Sequence, residues 1–379
     1  MIGFTLKPEE EELRLLARKF AEKEIAPARR YYHENEEEIP MDILKKGWEI
    51  GLAYLNAPAR IQKSEISWVA SCVMLEELAR ASAGISNNFA ANCLGSTPCA
   101  LAGTDAQHDW WFGRIVNEGK WAAFCLTEPG AGTDVASMST KVEKEGDYYY
   151  ITGEKIFASN GRYADQVTVF GCLEPGNRKS MCAFLVDTEQ EGVTRGPWIK
   201  KMGLNANHQT SFYFDRVKVH KDMMLGKEGG AFEIAMQTFV YSRPYVGAEA
   251  VGIAQGAFEI ARDYAKQRVQ FGKTLSKNQA IQFKLADMAL KIEAARNLYL
   301  KAAWLIDNGT PDNTLSSMCK WYASDVAMEV STDAVQILGG NGYTRDYDAE
   351  IFMRDAKIFQ IFEGTVEAQK MIVSGAILR

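Results

Sequence analysis

The sequence predicts an α+β protein in three parts: an N-terminal α-helical domain, a middle antiparallel β-barrel domain and a C-terminal four-helix bundle. Two changes of period carry this prediction. Apolar residues recur at helical spacing over residues 1–120, short β-branched and aromatic runs replace them over 121–228, and long amphipathic stretches return over 229–379. A chain of 379 residues has room for all three.

Pro8 ahead of Glu9, Glu10, Glu11 and Glu12 reads as a helix start, with proline in the first turn and acids at the positive end of the helix dipole. Leu13, Leu16, Ala17, Phe20, Ala21 and Ile25 follow on one face, and Pro27 is expected to stop the helix. A second amphipathic helix carries Ile43, Leu44, Gly47, Trp48 and Gly51, and residues 68–80 and 89–102 read as two more. Residues 148–152, 166–170, 181–186 and 211–214 are strand-like runs separated by turn residues, with no helices between them, as in a small barrel or sandwich. After a hinge at Gly226, Gly229 and Gly230, three long helices over 231–266, 277–308 and 312–338 and a shorter one over 364–378 make the bundle.

A formal net charge of −6 leaves no electrostatic footprint for nucleic acid. The seven cysteines are scattered through apolar segments without metal-ligand spacing, which points to reduced thiols in a reducing compartment, and the four histidines fall into no metal-binding pattern. No metal is expected. The N-terminus has no signal or transit pattern and no apolar run reaches membrane-span length. A cytoplasmic protein, or a mature organellar form, is expected.

Chemistry is expected first at Glu363, which follows the apolar Ile358, Phe359, Ile361 and Phe362 and precedes Gly364. Apolar neighbours strip hydration from a carboxylate and raise its pKa, as a general base requires. Local sequence also allows a solvated acid in the first turn of the last helix. Thr127 to Asp134, with Gly130 and Gly132, permits close backbone approach to a flat or anionic ligand, or is a plain turn. Gly339, Gly340 and Gly342 taken alone read as a connector between helices.

Together these stretches resemble the acyl-CoA dehydrogenase family of flavoproteins over nearly the whole chain. The resemblance rests on Cys125-Leu126-Thr127-Glu128-Pro129-Gly130-Ala131-Gly132-Thr133-Asp134, Gly153-Glu154-Lys155 with Asn160-Gly161, Arg268-Val269-Gln270-Phe271-Gly272-Lys273, Gln336-Ile337-Leu338-Gly339-Gly340-Asn341-Gly342 and Phe362-Glu363-Gly364-Thr365. It implies FAD held between the β domain and the bundle of a homotetramer. Phe124, Leu126, Thr127, Gly132 and Thr133 would line flavin and thioester, Phe157 and Ser159 would flank the isoalloxazine, and Thr365 would join them. Arg268, Phe271, Gln336 and Gly340 would reach the FAD of a neighbouring subunit. Glu363 would remove the acyl α-proton as the β-hydrogen leaves as hydride to flavin N5, giving a trans-2-enoyl-CoA, while its own backbone N–H and a ribityl hydroxyl polarise the thioester oxygen.

The resemblance also bounds the substrate. Some members carry the base directly before the arginine that is Arg243 here, but this chain has Ser242 there, which leaves Glu363. Arg243 and Gly364 would lie at the substrate. Ala90 and Ala91 on one wall, with Tyr241 and Tyr245 on the other, suit a short or medium, branched, cyclic or aryl-bearing acyl group, for example of the benzylsuccinyl-CoA type, although plain helix packing accounts for them equally. Ile85 stands where glutaryl-type members have an arginine, and no aspartate marks Ala90 or Ala91 for ring chemistry. Ala59 to Ser64 replaces a glycine-rich loop, and Glu367 replaces a common glutamine. The implied electron acceptor is an electron-transfer flavoprotein; the alternatives are an oxidase using O2, whose extra C-terminal domain the chain is expected to lack, and a non-catalytic assembly protein.

Overall fold

The computed structural model describes residues 5–378. Helix α1 (Pro8–Phe20) begins where the Lys7 N–H donates to the Glu10 carboxylate at 2.9 Å. Pro27 does not stop the helical path as expected. The chain passes through a π turn (Ala21–Ile25) and a 3-10 turn (Ala26–Ala28) and resumes as α2 (Arg29–Glu34), because changes of pitch accommodate a residue with no N–H to give. Helices α3 (Met41–Glu49) and α4 (Ala59–Gln62) follow; α4 occupies the 59–64 segment, where Arg60 pairs with Asp109.

The two helices expected over 68–80 and 89–102 are one, α5 (Trp68–Ala102), which leaves helical geometry only at Ser82. The polar stretch between them looks like a loop in sequence, but its side chains have buried partners: Asn88 donates to the Gly84 carbonyl at 2.9 Å and to that of Ala206 at 3.3 Å. Helix α6 (Asp105–Glu118), capped by Thr104, leads into the sheet.

That sheet has seven strands: β1 (Ala122–Cys125), β2 (Lys141–Glu145), β3 (Tyr148–Ser159), β4 (Gln166–Cys172), β5 (Met181–Asp187), β6 (Val193–Trp198) and β7 (Gln209–His220). The path runs β1-β4-β2-β3-β7-β6, with β5 on the other edge of β4. It is an open half-barrel in which most pairs are antiparallel and β1 runs parallel to β4, since the intervening β2–β3 hairpin supplies the long crossover a parallel pair needs.

Helix α7 (Ala231–Gln267) opens the C-terminal part, followed by the small hairpin β8 (Val269–Gln270) and β9 (Lys273–Thr274). Helices α8 (Gln279–Asp307), α9 (Asn313–Leu338), α10 (Gly340–Tyr343), α11 (Ala349–Phe359) and α12 (Val366–Ile377) complete it. Helix α11, not foreseen from sequence, buries Ile351, Phe352, Ala356 and Phe359. One core joins the N-terminal helices to the bundle, with α5 lying along α7. The contact is close at two glycines: a methyl on Gly252 would meet Ala79 Cβ at 2.8 Å, and one on Gly256 would meet the Arg80 carbonyl at 2.5 Å. Gly256→Ala is expected to lower stability by about 1–3 kcal/mol through overpacking, read as a lower urea midpoint with unchanged slope.

Candidate functional site

Glu363 lies in the link between α11 and α12, with φ +51°, followed by Gly364 at φ +86°. Two successive left-handed residues, one of them not glycine, need outside support. The Gln369 amide donates to the carbonyls of Glu363 (3.2 Å) and Gly364 (2.9 Å), and buried Lys320 of α9 donates to Gly364 O at 2.7 Å. Gly364 has no room for a side chain, since a Cβ would meet the Gln369 amide at 2.6 Å. Thr365 caps α12 by accepting from the Ala368 N–H. Glu363 is therefore not a solvated first-turn residue; Glu367 holds that place.

The Glu363 carboxylate accepts a hydrogen bond from the Ser242 hydroxyl of α7. Burial raises its pKa, and Ser242, Lys320 and Arg243 draw it partly back. Burial in turn lowers Lys320 to about 8 and Arg243 to about 10. The Arg243 guanidinium donates to Asn313 (2.7 Å) and Ser317 (3.0 Å), and its Nε has no partner in the structure.

Glu363 faces a cavity of about 670 Å³ between the sheet, α5, α7 and the α11–α12 link. The same cavity is lined by the expected Phe124, Leu126, Thr127, Gly132, Thr133, Phe157, Ser159 and Thr365, and by the expected Ala90, Ala91, Arg243, Tyr245 and Gly364. The loop bearing Thr127 and Thr133 is pinned by Glu128, whose buried carboxylate accepts from Ser139 N–H (2.6 Å), Thr140 N–H (2.9 Å) and Lys155 Nζ (2.7 Å). Phe157 sits at a bulge in β3, with φ +61°, and is 55% exposed toward this space.

These surroundings suit a flavin. A methyl placed on Gly130 or Gly132 would touch nothing within 4 Å, which leaves open room beside the loop backbone. Aromatic Phe157 and the hydroxyls of Thr127 and Ser159 offer a flat apolar face and a polar edge, the two characters of an isoalloxazine ring.

Tyr241 is a correction. It packs edge-on against Trp68 and does not line the cavity, whereas Tyr245, stacked on the same tryptophan, does. Adjacent helical positions differ by about 100°, so residues four apart lie near one another without sharing a wall. Arg268, Phe271, Gln336 and Gly340 also lie off this cavity. Arg268 lines a separate groove of about 570 Å³ with Arg29, Arg80 and Asn341, and Phe271, fully exposed at φ +52°, projects from the β8–β9 hairpin.

Sequence reasoning missed Lys320, which supports the Glu363 turn, and Glu249, a buried carboxyl in the cavity wall. Each is a single charge inside an apolar helical stretch, the signal that would have found them. Removing the Ser242 hydroxyl takes away an interaction that favours the charged carboxylate. Ser242→Ala is therefore expected to raise the pH at which Glu363 ionises, read from its carboxylate infrared band. Lys155→Met, which leaves Glu128 buried without its cation, is expected to cost about 3–5 kcal/mol in thermal or denaturant unfolding.

Comparison with known proteins agrees with this arrangement. The acyl-CoA dehydrogenase N-terminal, middle and C-terminal domain families match residues 7–119, 123–217 and 229–378. A protein named probable acyl-CoA dehydrogenase FadE25 from Mycobacterium tuberculosis is 40% identical over 378 residues, 99% of this chain and 97% of that one. The solved structure of butyryl-CoA dehydrogenase from Megasphaera elsdenii superposes with a TM-score of 0.95 at 38% identity, covering all of both chains. A structure described under the electron transferring flavoprotein of Acidaminococcus fermentans does so at 0.97 and 38%, again over both chains. The chain belongs to the FAD-dependent acyl-CoA dehydrogenase family.

Proposed function

We propose that this enzyme dehydrogenates an acyl-CoA thioester between its α and β carbons, with Glu363 as the base that takes the α-proton. One observation carries the proposal: a left-handed glutamate with a raised pKa faces the same cavity as the loop residues expected to hold a flavin. FAD, when bound there, supplies a two-electron acceptor. Phe124, Leu126, Thr127, Gly132, Thr133, Phe157, Ser159 and Thr365 would hold it.

The chain's own residues do the rest. The turn tied by Lys320 and Gln369 fixes the carboxylate, and Ser242 orients one of its oxygens. Among the described residues the Glu363 N–H makes no hydrogen bond, so it is available to a thioester oxygen that gains charge as the α-proton leaves. Lys320 and Arg243 oppose the rise that burial causes and favour the ionised carboxylate. Apolar walls at Ala90, Ala91, Leu94 and Val246 receive the acyl group, of short to medium length or bearing a branch or ring.

Electrons would pass to an electron-transfer flavoprotein, and the working form is a homotetramer in a reducing compartment such as the cytoplasm. Exposed Phe271, Phe283, Leu290 and Tyr343 on the C-terminal helices and hairpin favour contact between copies, which would bring Arg268, Phe271, Gln336 and Gly340 to a neighbour's FAD. All seven cysteines are buried and free, and among the described residues no helix is long and apolar enough to cross a membrane.

Anaerobic bleaching of the flavin absorbance against butyryl-, octanoyl-, isovaleryl-, cyclohexanecarboxyl-, phenylpropionyl- and benzylsuccinyl-CoA tests the proposal. Bleaching by at least one class, slowed about 10²–10⁴-fold by Glu363→Gln, is expected. A flavin-loaded protein that none of them bleaches would refute it for these substrates.

A further inference from the structure

Glu249 lies on α7 seven residues beyond Ser242, two helical turns or about 10 Å along the axis from the residue that holds Glu363. It is 1% exposed and lines the same cavity. Its two oxygens accept from neutral donors of α5: the Ser86 hydroxyl at 2.8 Å and the Asn87 amide at 3.1 Å. Both donors are themselves buried and follow the break in α5 at Ser82. The two helices that form the acyl wall thus share a polar cluster among apolar neighbours.

Nothing in that cluster neutralises a charge. Arg243 and Lys320 act on Glu363, and the partners of Glu249 are a hydroxyl and an amide. Burial above all, and the charge of Glu363 in addition, push its carboxyl up to about 8, so it keeps its proton at neutral pH. A protonated carboxyl has one O–H to donate, and a buried donor without an acceptor is unfavourable, so the site selects a ligand that brings one.

We propose that Glu249, held by Ser86 and Asn87, is a specificity-determining residue that donates a hydrogen bond to an uncharged acceptor, a carbonyl or ether oxygen, carried on the acyl group about two helical turns from its α-carbon. The inference rests on the acyl-CoA dehydrogenase function for the placement of the thioester at Glu363. A terminal carboxylate is excluded by the same argument, since it would be buried beside an acid without a cation.

The test uses the FAD-loaded protein carrying Glu363→Gln, so that thioesters bind without turning over. Calorimetry compares decanoyl-CoA with a decanoyl-CoA bearing a ketone beside its terminal methyl group. The ketone is expected to bind about tenfold more tightly, an ordinary return for one hydrogen bond to a dry donor. Adding Glu249→Leu is expected to abolish the preference by weakening the ketone alone, while Glu249→Gln, which keeps an N–H donor in the same place, retains most of it. Equal affinity for the two thioesters, or a preference that survives Glu249→Leu, overturns the inference while leaving the dehydrogenase function intact. If neither thioester binds, the inference is overturned, since the cavity then takes no straight chain long enough to reach Glu249, while the dehydrogenase function still stands or falls on the bleaching of the other thioesters. Should the leucine variant not fold, loss of the preference in Glu249→Gln is the overturning result and its retention the supporting one.

Discussion

Helices α5 and α7 lie so close at Gly252 and Gly256 that one methyl group would reach the backbone or side chains of the opposite helix. Much of the molecule inherits its geometry from this contact. It sets the α5 face carrying Asn87, Ala90, Ala91 and Leu94 beside the α7 face carrying Ser242, Val246 and Glu249, and the cavity opens between them. Gly256 also makes room for Phe352 of α11, and Lys320 of α9 reaches the turn that follows α11. The turn that carries Glu363 therefore rests on the bundle's packing rather than on its own few residues.

Two carboxyls share that cavity in different surroundings. Glu363 has Lys320 and Arg243 near it and a strained backbone that aims it, so burial is opposed by cations and the group can work as a base. Glu249 has neutral donors and full burial, which favour the protonated acid. The β domain contributes the other wall with little freedom: Glu128 and Lys155 pin the Thr127–Thr133 loop from below, and the bulge at Phe157 turns an aromatic ring toward the open space. Rigid support on each side is what a site needs if a thioester and a flavin are to meet in register.

The order helical, then β, then helical was legible because period changes at 3.6 and 2 residues are properties of local sequence. So were the glycine-rich loop after Thr127 and the acid before Gly364, which stand out against apolar neighbours. Residues 81–88 were not, since Ser86, Asn87 and Asn88 look like loop residues until Glu249 and the Gly84 and Ala206 carbonyls are placed against them. Helix α11 was hidden by its charges, with Arg354 tied to Glu350 on the outside and Phe352 and Phe359 buried on the inside. Tyr241 and Tyr245 have the same composition and spacing to suit one wall, and only rotation about α7 separates them.

By itself the sequence determined the fold class and the family, and it pointed to the loops proposed to hold a flavin and to Glu363 as the proposed base, because each depends on residues adjacent in the chain or repeated at a regular period. Tertiary structure decided which side chains share the cavity, how Lys320 and Gln369 hold Glu363 in a left-handed turn, and why Glu249 keeps its proton. Those outcomes depend on burial and on partners from distant segments, Ser86 with Glu249 and Ser242 with Glu363, and neither quantity is encoded in any local window of the chain.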